Sequence, residues 1–157
     1  SVYCFDHFIQ ECKTHVAHMS NGDFYASEQS SIMKAEGSVR IEHVSSDGSV
    51  TVMKENIPLV ENEIIDSSFM SVKELDSFLN QQYTDAKDSG LLLSLHLKAT
   101  MMKVSDPILF GRVVSSFYKP ALDKHSEVLS KVGFNPNNGI GDLYDKIRTL
   151  PSTFSLI

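Results

Sequence analysis

The stretch Leu91-Leu92-Leu93-Ser94-Leu95-His96-Leu97 constrains the fold of this chain more than any other. Gly90 precedes it and Lys98 closes it. A near-continuous apolar run of this length, preceded by a helix terminator, reads as a strand covered on both faces. Asp106-Pro107 follows shortly after, an N-cap residue type ahead of the proline favoured at a helix's first position. The run therefore predicts a buried strand that ends in a lysine, with a helix entering soon after it.

The rest of the pattern is mixed. Asn21-Gly22 is a turn signal. Val39, Ile41 and His43 alternate with Arg40, Glu42 and Val44, and Val50 and Val52 alternate with Thr51 and Met53, a period of two. Ser45-Ser46-Asp47-Gly48 between them predicts a hairpin turn. Pro58 is expected to end or bend the return strand, and residues 63–70 read as a third strand. Ser71 and Glu74 form a capping-box pattern, Val72, Leu75, Phe78, Leu79, Tyr83 and Ala86 recur at helical spacing, and Gly90 is the expected terminator. Leu109, Val113 and Phe117 predict a second helix, which Pro120 breaks or restarts and Gly133 ends. After the turn formers of Asn135-Pro136-Asn137-Asn138-Gly139, residues 141–150 read as a short helix stopped by Pro151. An N-terminal hairpin followed by strand–helix–strand–helix units predicts a mixed α/β fold with a sheet covered by helices.

At 157 residues the chain has the size of one domain, able to bury about 70% of its unfolded surface. It has no run of 18 apolar residues, so no membrane span is expected. The first residues lack a basic segment and a cleavage site, so no signal peptide is expected. Cys4 and Cys12 lie too close for a disulfide to stabilise much, and read as reduced thiols of an intracellular protein. The net charge of −6 argues against a nucleic-acid partner. Yet Lys98, Lys103, Arg112, Lys119, Lys124 and Lys131 outnumber the acids of residues 91–131. That local excess suits a small anionic ligand, though solvated surface charge explains it more simply.

Cys12, His15 and His18 are metal-ligand types, but no second pair follows at usual spacing, so no metal site is expected there. Gly139-Ile140-Gly141 opens like a dinucleotide fingerprint, but Tyr144 holds the third glycine position and a loop precedes it. Lys98 stands apart by position. At the end of a buried strand, partial desolvation would lower its pKa and fit it for proton transfer. A lysine snorkelling out of a strand end is the plainer account, and spacing alone favours it. Met101 and Met102 read as core filling, and Asp106 as a helix cap rather than a metal ligand.

Longer words in the sequence shift that weighting. Lys13-Thr-His-Val-Ala-His-Met-Ser-Asn-Gly-Asp-Phe-Tyr25 resembles a segment of the monomeric NADP-dependent isocitrate dehydrogenases. So do Val39-Arg-Ile-Glu42 with Asp47-Gly48, the run from His96 to Pro107, Asn135-Pro-Asn-Asn-Gly139 and Gly141-Asp-Leu-Tyr144. The resemblance covers residues 13–151, and residues 1–12 and 152–157 depart from it. It implies an isocitrate/isopropylmalate dehydrogenase-like fold, incomplete here. The reaction implied is oxidation of isocitrate by NADP and loss of carbon dioxide, giving 2-oxoglutarate. Mg2+ or Mn2+ in the complete enzyme stabilises the enolate as a Lewis acid. The resemblance makes Lys98 the catalytic lysine, relaying the proton of the substrate hydroxyl.

The family's substrate-clasping Ser-x-x-Asn-x-x-x-Arg motif, metal-binding aspartates, catalytic tyrosine and NADP site have no counterpart here. Tyr83, Tyr118 and Tyr144 sit in helical patterns unlike that of the family's tyrosine. The expectation is therefore an internal piece of the large domain, inactive alone and poorly soluble through uncovered core faces. Its parent would be monomeric, with isocitrate as its small-molecule partner, no nucleic acid and no membrane. The compartment implied is the cytoplasm, or the mitochondrion if the source is eukaryotic. The rival expectation is a free-standing, non-enzymatic interaction module derived from the enzyme.

Overall fold

The computed structural model describes residues 12–98 and 100–150. They form two compact units, one of Ser20–Ser71 and one of residues 12–19 with 72–150. The fold is mixed α/β, with every described strand in the first unit and the long helices in the second.

The first unit starts with a single helical turn, α1 (Phe24–Ser27), whose Ala26 N–H is capped by the Asp23 carboxylate. Strand β1 (Gln29–Ile32) pairs antiparallel with β4 (Ile64–Ser67). Strand β2 (Gly37–Val44) pairs antiparallel with β3 (Val50–Leu59). The hairpin turn is where the sequence puts it: Gly48 takes a positive φ of 83°, and Asp47 accepts from the Ser49 N–H and hydroxyl. Pro58 stays within β3, which ends one residue later at Leu59, and it pairs with Ser38. A two-stranded ribbon has only edge strands, where a missing N–H is tolerated. Two shifts of register each add a residue to β3, and Asn56, near the first, adopts φ 50°. Ser27 closes the unit, its hydroxyl donating to the Phe69 carbonyl and accepting the Phe69 N–H.

The second unit is helical. Helix α2 (Val72–Ser89) stops at Gly90, whose φ of 68° lets its own N–H reach the Lys87 carbonyl and the Leu91 N–H reach Ala86. After α3 (Ser105–Phe117), α4 (Lys119–Lys124) restarts with Pro120 in its first turn, as the proline predicts. Helix α5 (Ser126–Val132) ends at left-handed Gly133. A 3-10 turn (Pro136–Asn138) then leads into α6 (Ile140–Ile147). Pro151 lies outside the described residues. Among the described residues no helix is long and apolar enough to cross a membrane.

One major expectation fails. Residues 91–98 form neither strand nor helix, so the strand–helix–strand–helix order is absent. The physical reason is missing pairing. No N–H from residues 92–98 reaches a backbone carbonyl among the described residues, and no carbonyl of 92–97 accepts one. A strand exists only when a neighbour meets those groups.

Candidate functional site

Lys98 stands where that unpaired segment turns toward α3. Its carbonyl accepts the N–H groups of Met101 (3.1 Å) and Met102 (3.4 Å), which bends the chain sharply. Its side chain is exposed, as the snorkelling account has it and the desolvated one does not. Among the described residues none makes an ion pair or side-chain hydrogen bond with the Lys98 ammonium.

The following residues also depart from expectation. Met101 and Met102 are exposed rather than core-filling. Asp106 is not the N-cap: α3 begins at Ser105 after Val104, which makes no side-chain cap. Asp106 therefore falls inside the first turn, its own N–H donating to the Met102 carbonyl. There its carboxylate is buried, and Oδ2 has no hydrogen-bond partner among the described residues. Pro107 remains in the first turn, where its missing N–H costs little.

Helix α3 is fixed from two sides. Toward α2, Arg112 grips Asp76 with two N–H groups, Nε to Oδ1 at 3.1 Å and Nη2 to Oδ2. The Tyr83 hydroxyl donates to the Val113 carbonyl and bonds Ser116 Oγ at 2.8 Å, while its ring meets Phe117 edge-on. Leu75, Leu79 and Val114 form the buried core between the two helices. Toward the 3-10 turn, Gly111 admits Asn137 so closely that a Cβ would lie 1.9 Å from its Oδ1. Gly139, at φ 81°, similarly meets the Phe110 ring, 2.9 Å from where a Cβ would be. The glycine that resembled a dinucleotide motif thus serves packing. Asp142 at the start of α6 holds this corner, accepting the Asn135 N–H at 2.9 Å. That bond, Asn138 and Lys146 keep its carboxyl below the usual 3.8, burial opposing them.

The basic residues of 91–131 are not all free to meet an anion. Arg112 is engaged by Asp76 and Lys119 by Asp123 at 2.8 Å. Lys98 and Lys103 stay exposed on the connecting segment. The Cys12, His15 and His18 group does not converge either. His15 bonds the Lys13 carbonyl through Nδ1 and faces Asp85 at 3.4 Å through Nε2, while His18 bonds the Met19 carbonyl. Among the described residues no group of three His, Cys, Asp or Glu could hold a metal ion. Cys4 lies outside the described residues. Sequence reasoning missed the buried Asp106 and the Gly111–Asn137 fit, since both depend on where α3 starts and docks.

Residues 3–155 match the sequence model of the family described as monomeric isocitrate dehydrogenase. An NADP isocitrate dehydrogenase of Azotobacter vinelandii is 59% identical over 141 residues, which is 90% of this chain and 19% of that protein. An NADP isocitrate dehydrogenase 2 of Colwellia maris is 50% identical over 91% of this chain and 19% of its own length. Its counterpart in Mycobacterium tuberculosis is 49% identical over 90% of this chain and 19% of its own length. The chain thus spans about a fifth of the length of the relatives it matches.

Proposed function

The chain belongs to the monomeric isocitrate dehydrogenase family, and from that premise we propose that it is part of an NADP-dependent enzyme that oxidatively decarboxylates isocitrate to 2-oxoglutarate. In this reading residues 13–151 are part of the large domain, with an isocitrate/isopropylmalate dehydrogenase-like fold. Residues 1–12 and 152–157 flank it. The parent enzyme is monomeric and cytoplasmic.

Lys98 is the catalytic residue of this reading. Its exposed ammonium, with no carboxylate partner among the described residues, is the observation that carries it. An unclaimed cation can meet a tricarboxylate by charge and accept a place beside the substrate hydroxyl. There, in its unprotonated form, it takes the hydroxyl proton as hydride leaves the carbon for NADP. NADP supplies the oxidant in the complete enzyme. The described residues offer no metal-binding cluster, so no step here runs through Mg2+ or Mn2+. Both groups would sit on residues beyond those described.

Two assays test this. The 157 residues alone should not reduce NADP with isocitrate and Mn2+; turnover that Lys98→Ala abolishes would overturn the claim that this piece is inactive alone. Placed in the A. vinelandii relative in exchange for its matching stretch, the same residues should support turnover. In that chimera Lys98→Met should lower kcat about 10³-fold, the range of a lost proton-transfer group. A loss under tenfold would remove Lys98 from catalysis.

A further inference from the structure

We propose that Asn21 is a site of spontaneous covalent modification. It cyclises onto the Gly22 nitrogen and converts to iso-aspartate and aspartate, which loosens the closure of the Ser20–Ser71 unit. The chemistry favours asparagine before glycine, because a residue without Cβ lets the carboxamide approach the next backbone nitrogen. It also needs that nitrogen and the carboxamide to be free of other hydrogen bonds. The sequence has two Asn-Gly pairs, Asn21-Gly22 and Asn138-Gly139. The structure separates them. Gly139 is buried, its N–H donates to the Pro136 carbonyl at 2.9 Å, and the Asn138 carboxamide donates to Asp142 Oδ1 at 3.5 Å. Asn21 is exposed in a bend outside helix and strand. Neither its carboxamide nor the Gly22 N–H has a hydrogen-bond partner among the described residues. The related pair Asp47-Gly48 is tied as Asn138-Gly139 is: the Gly48 N–H donates to the Ser45 carbonyl at 2.9 Å, and Asp47 accepts from Ser49.

The step balances with water alone. The Gly22 nitrogen attacks Cγ of Asn21, an N–C bond forms, and the carboxamide nitrogen leaves as ammonia. The proton that Gly22 loses to solvent is matched by the one the leaving nitrogen takes up. Water then opens the five-membered imide. Cleavage on one side of the imide nitrogen leaves aspartate; cleavage on the other routes the main chain through Cβ and leaves iso-aspartate with one extra backbone atom. The Gly22 carbonyl lies just beyond, and it accepts the Ser71 N–H at 2.7 Å, joining the two ends of the Ser20–Ser71 unit. An extra backbone atom beside Gly22 shifts that carbonyl and weakens the bond.

Ageing the 157-residue chain in mildly alkaline buffer tests this, with peptide mass spectrometry following each Asn-Gly site. Asn21 should convert about tenfold faster than Asn138, which must first open its turn locally. In denaturing urea the two rates should converge. Equal rates in buffer would overturn the proposal. So would a difference that persists in urea, since sequence and not structure would then set it. Hydrogen exchange reads the consequence. The Ser71 amide should exchange about tenfold faster in the iso-aspartate fraction than in fresh protein. Asn21→Gln, whose longer side chain cyclises poorly, should keep its Ser71 protection through the same ageing. Unchanged Ser71 exchange in the iso-aspartate fraction would defeat the claim that the modification loosens the unit.

Discussion

Helices α2 and α3 meet their own needs, and the segment between them does not. Each helix surface that faces the other finds a matched group: Asp76 for Arg112, Ser116 and a carbonyl for Tyr83, Leu75 and Leu79 for Val114. Residues 92–98 leave their backbone groups without backbone partners among the described residues, and they expose leucines. Yet the word from His96 to Pro107 that resembles the family begins in that second region. The difference separates two kinds of constraint on a sequence. One set of residues holds this piece together by contacts within it. The other set presents side chains for contacts that this piece does not make with itself.

Truncating a core leucine should give the largest effect. Leu79 is 6% exposed between α2 and α3, so Leu79→Ala should lower stability by about 2–4 kcal/mol in urea unfolding. A cost below 1 kcal/mol would mean the helix pair is not the stabilising centre. Gly111→Ala comes next. Its Cβ would press on Asn137 Oδ1 at 1.9 Å and on the Asn137 backbone nitrogen at 3.0 Å. Overpacking of this kind costs about 1–3 kcal/mol. Adding Asn137→Ala should recover only part of it, because the backbone contact remains.

These fits also mark what the sequence can and cannot disclose. The hairpin turn and the end of α2 were legible because Asp47, Gly48 and Gly90 act on their immediate neighbours. Strand β1 was not, since Gln29-Ser30-Ser31-Ile32 has little strand character and holds its form by pairing with β4. Asp-Pro places the start of α3 too late: the helix begins at Ser105, and the Asp106 N–H already reaches the Met102 carbonyl. The apolar run at 91–97 reads as strand because its composition is right for one, but pairing is non-local and composition cannot supply the partner. Lys98 was singled out by its position after that run and by resemblance. Its exposure is the one that the snorkelling account, favoured by spacing, expects.

A smaller effect is expected at the polar clip. Tyr83→Phe removes hydrogen bonds to Val113 and Ser116 and should cost about 1 kcal/mol. It should also change the alkaline limb of stability. Burial pushes the Tyr83 hydroxyl above its ordinary 10.0; the Ser116 bond works against this and the Asp76 charge with it. A raised folded value means the contribution is complete below pH 10 and fades as pH rises through the folded value. Melting followed above pH 10 should therefore fall more steeply for the parent than for Tyr83→Phe. Parallel curves would show that Tyr83 is not held un-ionised by the helix interface.

The smallest effect should come from the most exposed leucine of the connecting segment. Leu92 is 91% exposed, so Leu92→Ser removes almost no burial and should shift the stability of this chain by no more than about 0.5 kcal/mol. Taken alone that would be an uninformative surface mutation. Set beside Leu79→Ala it becomes decisive, because the two leucines lie in one unit and only one of them is covered. The same substitution in the A. vinelandii chimera should cost about 1 kcal/mol or more if the remainder of the polypeptide covers Leu92. Silence in the short chain and a cost in the long one would show that the apolar run is completed from outside. A cost in both would break the comparison, since residues 91–98 would then already be part of the packed core.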